Sequence, residues 1–168
     1  RGTPHVSVTP DPSGSVLRAI TNASASFGTL SLGANSDLSL AGGAGGPMAF
    51  ANTLTSGNAS LGLNVPVTTA GFDDQGVPGT LRLYGDNILS IVAPTVADVN
   101  AKRTNFQVES GASLRVAGAG LRGGDPLVTL DGGTFSIAPP PSLPTYPNAY
   151  MQLTDVAVLS NSTIEAAT

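Results

Sequence analysis

Hydrophobic and polar positions alternate along this chain over stretches of about three to five residues, and these stretches come in pairs. Phe106-Gln-Val108 is followed by a polar turn and then by Leu114-Arg-Val116. Val128-Thr-Leu130 is followed in the same way by Phe135-Ser-Ile137. Alternation with period two predicts β-strands that bury one face. Strands this short cannot bury a face alone, so many of them must stack to form a core.

The pattern predicts a chain built almost entirely from strands. The one stretch with a helical look, 96–103, is too short and too poor in spaced apolar residues to form a stable helix. Many short strands separated by turns rich in Gly, Asn, Asp and Ser are typical of a sandwich, a closed barrel or a β-solenoid. The predicted strands are Ser15–Ile20, Phe27–Leu32, Asp37–Leu40, Ala59–Val65, Thr80–Tyr84, Ile88–Val92, Asn105–Val108, Ser113–Val116, Leu127–Leu130, Thr134–Ile137, Ala149–Thr154, Val156–Leu159 and Thr163–Glu165.

The spacing of the pairs favours the solenoid. The first apolar residues of successive pairs, Leu81, Phe106, Val128 and Met151, are separated by 25, 22 and 23 positions. A solenoid requires such a period because each coil returns to the same place above its predecessor. We therefore predict an all-β fold, a right-handed parallel β-helix with loop bulges, over residues 15–168, preceded by an extended Pro-rich entry segment over residues 1–14. An antiparallel β-sandwich of the jelly-roll type is the alternative.

Three segments break the pattern and are expected to be loops: the irregular stretch 42–57, the segment 70–78 and the proline-rich segment 138–147. Asp74 falls in the second of them, so Asp74→Ala is expected to cost less than about 0.5 kcal/mol. Phe106 and Phe135 begin different strands and are expected to fill different columns of the core. Truncating either to Ala is expected to cost about 3–5 kcal/mol.

Several units resemble a known type of repeat. They are Gly28-Thr-Leu-Ser-Leu32, Gly79-Thr-Leu-Arg-Leu83, Leu130-Asp-Gly-Gly-Thr-Phe-Ser-Ile137 and Ser162-Thr-Ile-Glu165. They look like the degenerate strand repeats of bacterial autotransporter passenger regions and related surface proteins, over most of residues 27–168. The resemblance implies a right-handed parallel β-helix exported to the cell surface, and it brings no catalytic residues with it.

The charge and the cysteine count exclude several kinds of site. The formal net charge is −4, and the seven Lys and Arg residues are scattered, so there is no basic stripe for nucleic acid. The chain has no Cys and a single histidine, His5, which argues against disulfides, zinc, copper, haem and a Ser-His-Asp triad. No apolar run approaches the length of a membrane helix. Because the chain begins at Arg1 without an initiator Met, we expect it to be a mature or excised piece of something longer.

Gly118-Ala-Gly120-Leu-Arg-Gly123 has the spacing of a dinucleotide-binding loop. Such a loop must open a helix and be followed about twenty residues later by an acidic residue. Here a strand follows instead, and Ala138 stands at the acidic position. We interpret the motif as a solenoid corner, and we predict no cofactor.

Two carboxylates occupy equivalent places in successive units, since Glu109 and Asp131 each lie three residues after the first apolar residue. Aligned coils would bring them together on one turn, as in enzymes that cleave polysaccharides with paired carboxylates. The chain has no Trp, three Tyr and five Phe, which is few for stacking on sugars. A solvated turn is therefore the favoured interpretation.

The sequence thus predicts a structural or adhesive module of an exported bacterial cell-surface protein, extracellular and not an enzyme, with no catalytic, cofactor-binding or metal-binding residues. Its partners are expected to be further rungs of a parent chain or a second copy, joined end to end into a filament, with cell-surface glycans as a further possibility. A carbohydrate-active β-helix, either a polysaccharide lyase or hydrolase or a phage tailspike segment, is the alternative function.

Overall fold

A computed structural model describes residues 6–8, 14–19, 24–42, 46–93, 99–100, 103–118, 127–138 and 155–166. The regular elements in these ranges are strands. They are β1 (Val6–Val8), β2 (Ser15–Ala19), β3 (Ala25–Leu32), β4 (Ser36–Gly42), β5 (Met48–Thr55), β6 (Ala59–Leu63), β7 (Val67–Thr69), β8 (Phe72–Asp73), β9 (Gly79–Gly85), β10 (Ile88–Ala93), β11 (Val99–Asn100), β12 (Thr104–Glu109), β13 (Ser113–Gly118), β14 (Leu127–Asp131), β15 (Thr134–Ala138), β16 (Asp155–Val158) and β17 (Thr163–Ala166).

The described strands form two sheets whose ladders are all parallel. The first sheet has the order β1-β3-β5-β7-β10-β13-β15-β17, with β8 pairing with both β5 and β11, and the second has the order β16-β14-β12-β9-β6-β4-β2. Since the chain passes from one sheet to the other and back in every coil, the molecule is a right-handed parallel β-helix, as predicted. The antiparallel sandwich is excluded, because it would require neighbouring strands to run in opposite directions.

The predicted register between coils is confirmed in the middle of the chain and wrong at its end. Leu81 pairs with Phe106, and Phe106 pairs with Val128. The next partner of Val128 is Val156 and not Met151, so the last step is five residues longer than predicted. A solenoid tolerates this because a connection of free length can lie between strands without disturbing their stacking. Met151, the predicted strand Ala149–Thr154 and residues 139–147 lie outside the described residues.

The inward-facing side chains of successive coils lie over one another and form the core. Phe106 and Phe135 are both buried, the first in the second sheet and the second in the first sheet, which confirms that they occupy different columns. Phe106 packs against Phe72 with the ring centroids 5.2 Å apart. The large side chains that are almost completely buried include Leu30, Leu32, Leu38, Leu40, Leu61, Leu63, Leu81 and Leu83.

Strand β5 lies in the stretch 42–57 that was predicted to be irregular, and β8 lies in the predicted loop 70–78. The inward positions of β5 include polar residues, which hides the alternation from a hydrophobicity pattern, and β8 has only two residues. Thr53 and Thr69 are buried on the inner face, where the Thr53 hydroxyl donates to Thr69 Oγ1 at 3.1 Å. The Thr69 hydroxyl in turn donates to the carbonyl of Gly71 at 2.7 Å. The hydroxyls satisfy one another, so the strands can bury them.

Asp74 lies in the predicted loop 70–78, just after β8, and it is completely buried there. Its Oδ1 accepts the backbone N–H of Gly76 at 2.8 Å, and its Oδ2 accepts the backbone N–H of Arg103 at 2.7 Å. Arg103 belongs to the following coil and lies just before β12. The carboxylate therefore ties the corner after β8 to the next coil. The expectation that Asp74→Ala would be nearly neutral did not take this burial and these hydrogen bonds into account.

Tight connections between the two sheets run in both directions along the molecule. Residues 33–35 form a tight connection from the first sheet (β3) to the second (β4). Residues 110–112 form a tight connection in the opposite sense, from the second sheet (β12) to the first (β13). Strand β1 lies within the expected entry segment 1–14, and its Val6 pairs with Leu30.

Candidate functional site

The outer face of the second sheet carries four polar side chains that contact one another; we call them the outer network: Asp37, Arg82, Tyr84 and Glu109. The Arg82 guanidinium donates through Nε and Nη2 to the two carboxylate oxygens of Glu109, the second bond measuring 2.9 Å. The Tyr84 hydroxyl donates to Asp37 Oδ1 at 2.8 Å. Arg82 Cζ lies 5.2 Å from the centroid of the Tyr84 ring, a cation–π distance. The network therefore connects β4, β9 and β12 along the solenoid axis.

A glycine makes this arrangement possible. Gly62 lies between Ser39 and Tyr84 in one outward column, so the Tyr84 ring must cross it to reach Asp37. A Cβ on Gly62 would lie 2.8 Å from Tyr84 Cζ and 2.9 Å from its hydroxyl oxygen, closer than atoms can approach. The missing side chain of Gly62 thus leaves the space in which the tyrosine ring lies against the sheet.

The environment of the network favours neutral tyrosine and charged arginine. Burial, followed by the hydrogen bond to Asp37, raises the pKa of Tyr84 to about 12. The hydrogen bonds to Glu109 raise the pKa of Arg82 above its usual value, against the opposing effect of burial. Near neutral pH, Tyr84 is therefore a hydrogen-bond donor and Arg82 is a fixed cation.

Glu109 and Asp131 are neighbours, as their spacing predicts, because they are register partners at the ends of β12 and β14. Together with Ser110, Gly132, Ser160 and Asn161 they line an open cleft of about 510 Å³. Asp131 Oδ1 accepts the Ser160 hydroxyl at 2.9 Å. The corner itself is formed by Gly132, whose φ of 79° lies in the left-handed region.

The contacts at this cleft hold successive coils together. Both oxygens of Glu109 accept hydrogen bonds from Arg82, while Asp131 is bonded to the turn of the last coil. A general base must have a lone pair directed at the proton that it abstracts. In Glu109, the two hydrogen bonds from Arg82 occupy lone pairs that a general base would need. In the part of the chain that the structure describes, no group of three or more His, Cys, Asp or Glu side chains is placed to hold a metal ion.

Other sequence candidates fall mostly outside the described residues. They are His5 and residues 119–123 of the glycine-rich motif. Gly118, the first residue of that motif, is the last residue of β13. A search of the described ranges for a helix long and apolar enough to cross a membrane found none.

The last coil differs from the interior coils in its exposure. Val158 stacks on the fully buried Leu130, yet Val158 is 54 % exposed. Ile164 stacks on the buried Phe135 and is 55 % exposed. The apolar columns of both sheets therefore continue into the last coil and end there without a cover from any described residue.

The sequence predicted the two neighbouring carboxylates, Glu109 and Asp131. It did not predict the hydrogen bonds of Arg82 to Glu109 or of Tyr84 to Asp37. Asp37 and Tyr84 are 47 positions apart, so their contact depends on two coil steps and on the gap at Gly62. The signal that could have been used is the column order, because Gly62 precedes Tyr84 in one outward column of the predicted stack. Comparisons of the chain with family models, with curated proteins and with solved structures found no match.

Proposed function

We propose that this chain is a structural or adhesive module of an exported bacterial cell-surface protein. The observation that carries the proposal is the stack itself, whose apolar columns reach the last coil with Val158 and Ile164 still more than half exposed. Another layer over such a coil is stabilising, because a coil without one exposes apolar side chains and unpaired strand edges. A rod that is extended layer by layer is suited to span a distance and to present a surface.

The outer surface supports an adhesive role for such a rod. On the second sheet, Asn58 Oδ1 accepts the backbone N–H of Thr80 at 2.9 Å, and the Thr129 hydroxyl donates to Asn105 Oδ1 at 3.1 Å. Side chains of this kind form ladders of hydroxyl and amide groups that can hydrogen-bond to polar partners. Charged residues make up only 11 % of the chain, so these groups supply much of its polar surface.

Surface location is the direct test of this function. In intact cells that produce the chain naturally, we expect an external protease and an antibody to reach it without permeabilising the cells. A cytoplasmic protein of the same cells is the control and should resist both reagents. Protection of the chain in intact cells, followed by access after lysis, would overturn the proposal.

A polysaccharide-cleaving enzyme is the second candidate, and the observation that favours it is the shared cleft of Glu109 and Asp131. Incubating the chain with a panel of acidic and neutral polysaccharides and measuring new reducing ends tests it. Under the structural proposal we expect no release above background. Release that disappears in both Glu109→Gln and Asp131→Asn would replace the structural function with catalysis.

A further inference from the structure

We infer that the layer covering the last coil is a second copy of this chain, joined head to tail, with β16 of one copy pairing in parallel with β2 of the next. The inference rests on the proposed function and names its partner. Among the described strands, these two are the opposite edges of the second sheet, and no other described strand pairs with their outer sides. The join would continue the ladder pattern that already operates between coils.

The register of the join follows from the inward column of the second sheet. That column runs through the register partners Ser15, Leu38, Leu61, Leu83, Val108, Leu130 and Val158. Its first member is in β2 and its last is in β16. If the column continues from one copy to the next, Val158 of one copy lies beside Ser15 of the following copy, and the half-exposed valine becomes buried.

The adjacent outward column gives an independent reason for the same register. One position further along the strands, Val16 begins the outward column at β2, and Leu159 lies at its other end, just after β16. Val16 is 64 % exposed and Leu159 is 67 % exposed. They are two exposed large apolar side chains on a surface column that otherwise carries Ser39, Gly62, Tyr84, Glu109 and Asp131. The same register that buries Val158 places Val16 against Leu159.

The two ends that would meet carry opposite charges, which favours the proposed join. Arg18 is exposed on β2, two residues after Val16, at the first edge of the second sheet. The cleft at the other end carries Glu109 and Asp131 beside Ser160 and Asn161. Arg18 lies towards the C-terminal end of β2, and the acidic cleft lies at the C-terminal ends of β12 and β14, so the proposed register places both on the same side of the join. Opposite charges at the two ends favour head-to-tail over head-to-head association.

The geometry also determines what kind of assembly results. The surfaces that meet are different ends of the molecule, so the interface is heterologous. A heterologous contact that adds each copy along one axis does not close, and it therefore produces an open filament. In the proposed join, β16 of one copy and β2 of the next lie about 4.8 Å apart, as neighbouring strands in a ladder do. Each added copy therefore extends the same solenoid.

Disulfide trapping tests the register. Because the chain has no native cysteine, any disulfide must join the introduced residues. Purified Val16→Cys and Leu159→Cys variants of the full chain are mixed and oxidised gently. Register partners lie within the roughly 4.4–6.8 Å Cα separation that a disulfide spans. The matched control is a mixture of Val16→Cys with Val158→Cys, in which the two thiols face opposite sides of the sheet. We expect about tenfold more mixed dimer in the first mixture than in the control.

Equal crosslinking in the two mixtures would overturn the register, and a chain that stays monomeric with no mixed dimer would overturn the inference. Neither result would touch the proposed function, because surface exposure is measured separately and a parent chain can supply the covering coil. If the crosslink forms efficiently but the chain is protected in intact cells, the head-to-tail join is supported and the proposed function is overturned. Circular dichroism of each single-Cys variant verifies that the fold is retained.

Discussion

At the scale of single residues, Asp74 shows how a buried carboxylate can stabilise a corner between coils. Asp74→Ala leaves the backbone N–H groups of Gly76 and Arg103 without their acceptor. We expect a loss of about 1–3 kcal/mol in the free energy of unfolding, measured by urea denaturation. Asp86→Ala makes the same chemical change on an exposed side chain, and its free energy of unfolding should stay within about 0.5 kcal/mol of that of the unsubstituted chain. Equal costs for the two variants would contradict the buried placement of Asp74.

Tyr84 gives a prediction in pH. Its pKa of about 12 in the folded chain exceeds the ordinary value of 10, so the folded state holds the phenolic proton more tightly than the unfolded state. The resulting stabilisation is fully present below pH 10 and is lost as the pH rises from about 10 to about 12. Ultraviolet titration of tyrosinate should show one of the three tyrosines ionising late. Tyr84→Phe should remove that late phase, and its persistence in the variant would assign the shift elsewhere.

Gly62 controls the same tyrosine from the neighbouring strand. Gly62→Ala places a methyl group where the Tyr84 ring lies, so the ring must move away and release Asp37. We expect the late tyrosine ionisation to shift back towards pH 10. Ser90→Ala, on β10 of the first sheet with Thr68 and Arg115 as its register partners, is the control and should leave the titration unchanged.

At the scale of elements, the pair Thr53 and Thr69 explains how β5 and β7 bury polar residues. Thr69→Val leaves the buried Thr53 hydroxyl without its acceptor, which should cost about 1–3 kcal/mol. The double variant Thr53→Val/Thr69→Val should be more stable than Thr69→Val alone, because no orphaned hydroxyl remains. The Gly71 carbonyl still accepts the backbone N–H of Thr53 at 3.0 Å. Purely additive costs in chemical denaturation would contradict this coupling.

Alternation predicted those strands whose inward positions are aliphatic or aromatic, such as β9, β12 and β14. It failed for β5, where the buried Thr53 resembles a loop residue unless its hydrogen-bond partner is known, and for β8, which has only two residues. The neighbouring carboxylates could be predicted because Glu109 and Asp131 hold equivalent places in adjacent coils. The contacts of Arg82 and Tyr84 could not, because they depend on side-chain conformation and on the space left by Gly62.

At the scale of the whole molecule, the two ends are expected to behave as one interface divided between copies. Leu159→Asp or Val16→Lys alone should weaken association, because each places a charge against an apolar partner. In the double variant Val16→Lys/Leu159→Asp, the lysine of one copy meets the aspartate of the next, so association should recover in part. Val16→Lys/Leu159→Lys should stay dissociated, since like charges then meet at every join. Recovery in both double variants, or in neither, would show that the two positions do not meet.

The most direct measurement is the molar mass of this chain without substitutions, obtained by light scattering in solution as a function of concentration. Head-to-tail stacking predicts a mass that rises with concentration in steps of one 16.7 kDa chain. Leu159→Asp should shift this rise to higher concentration without changing the circular dichroism spectrum. A constant mass of 16.7 kDa up to the highest soluble concentration would contradict head-to-tail stacking of this chain on itself.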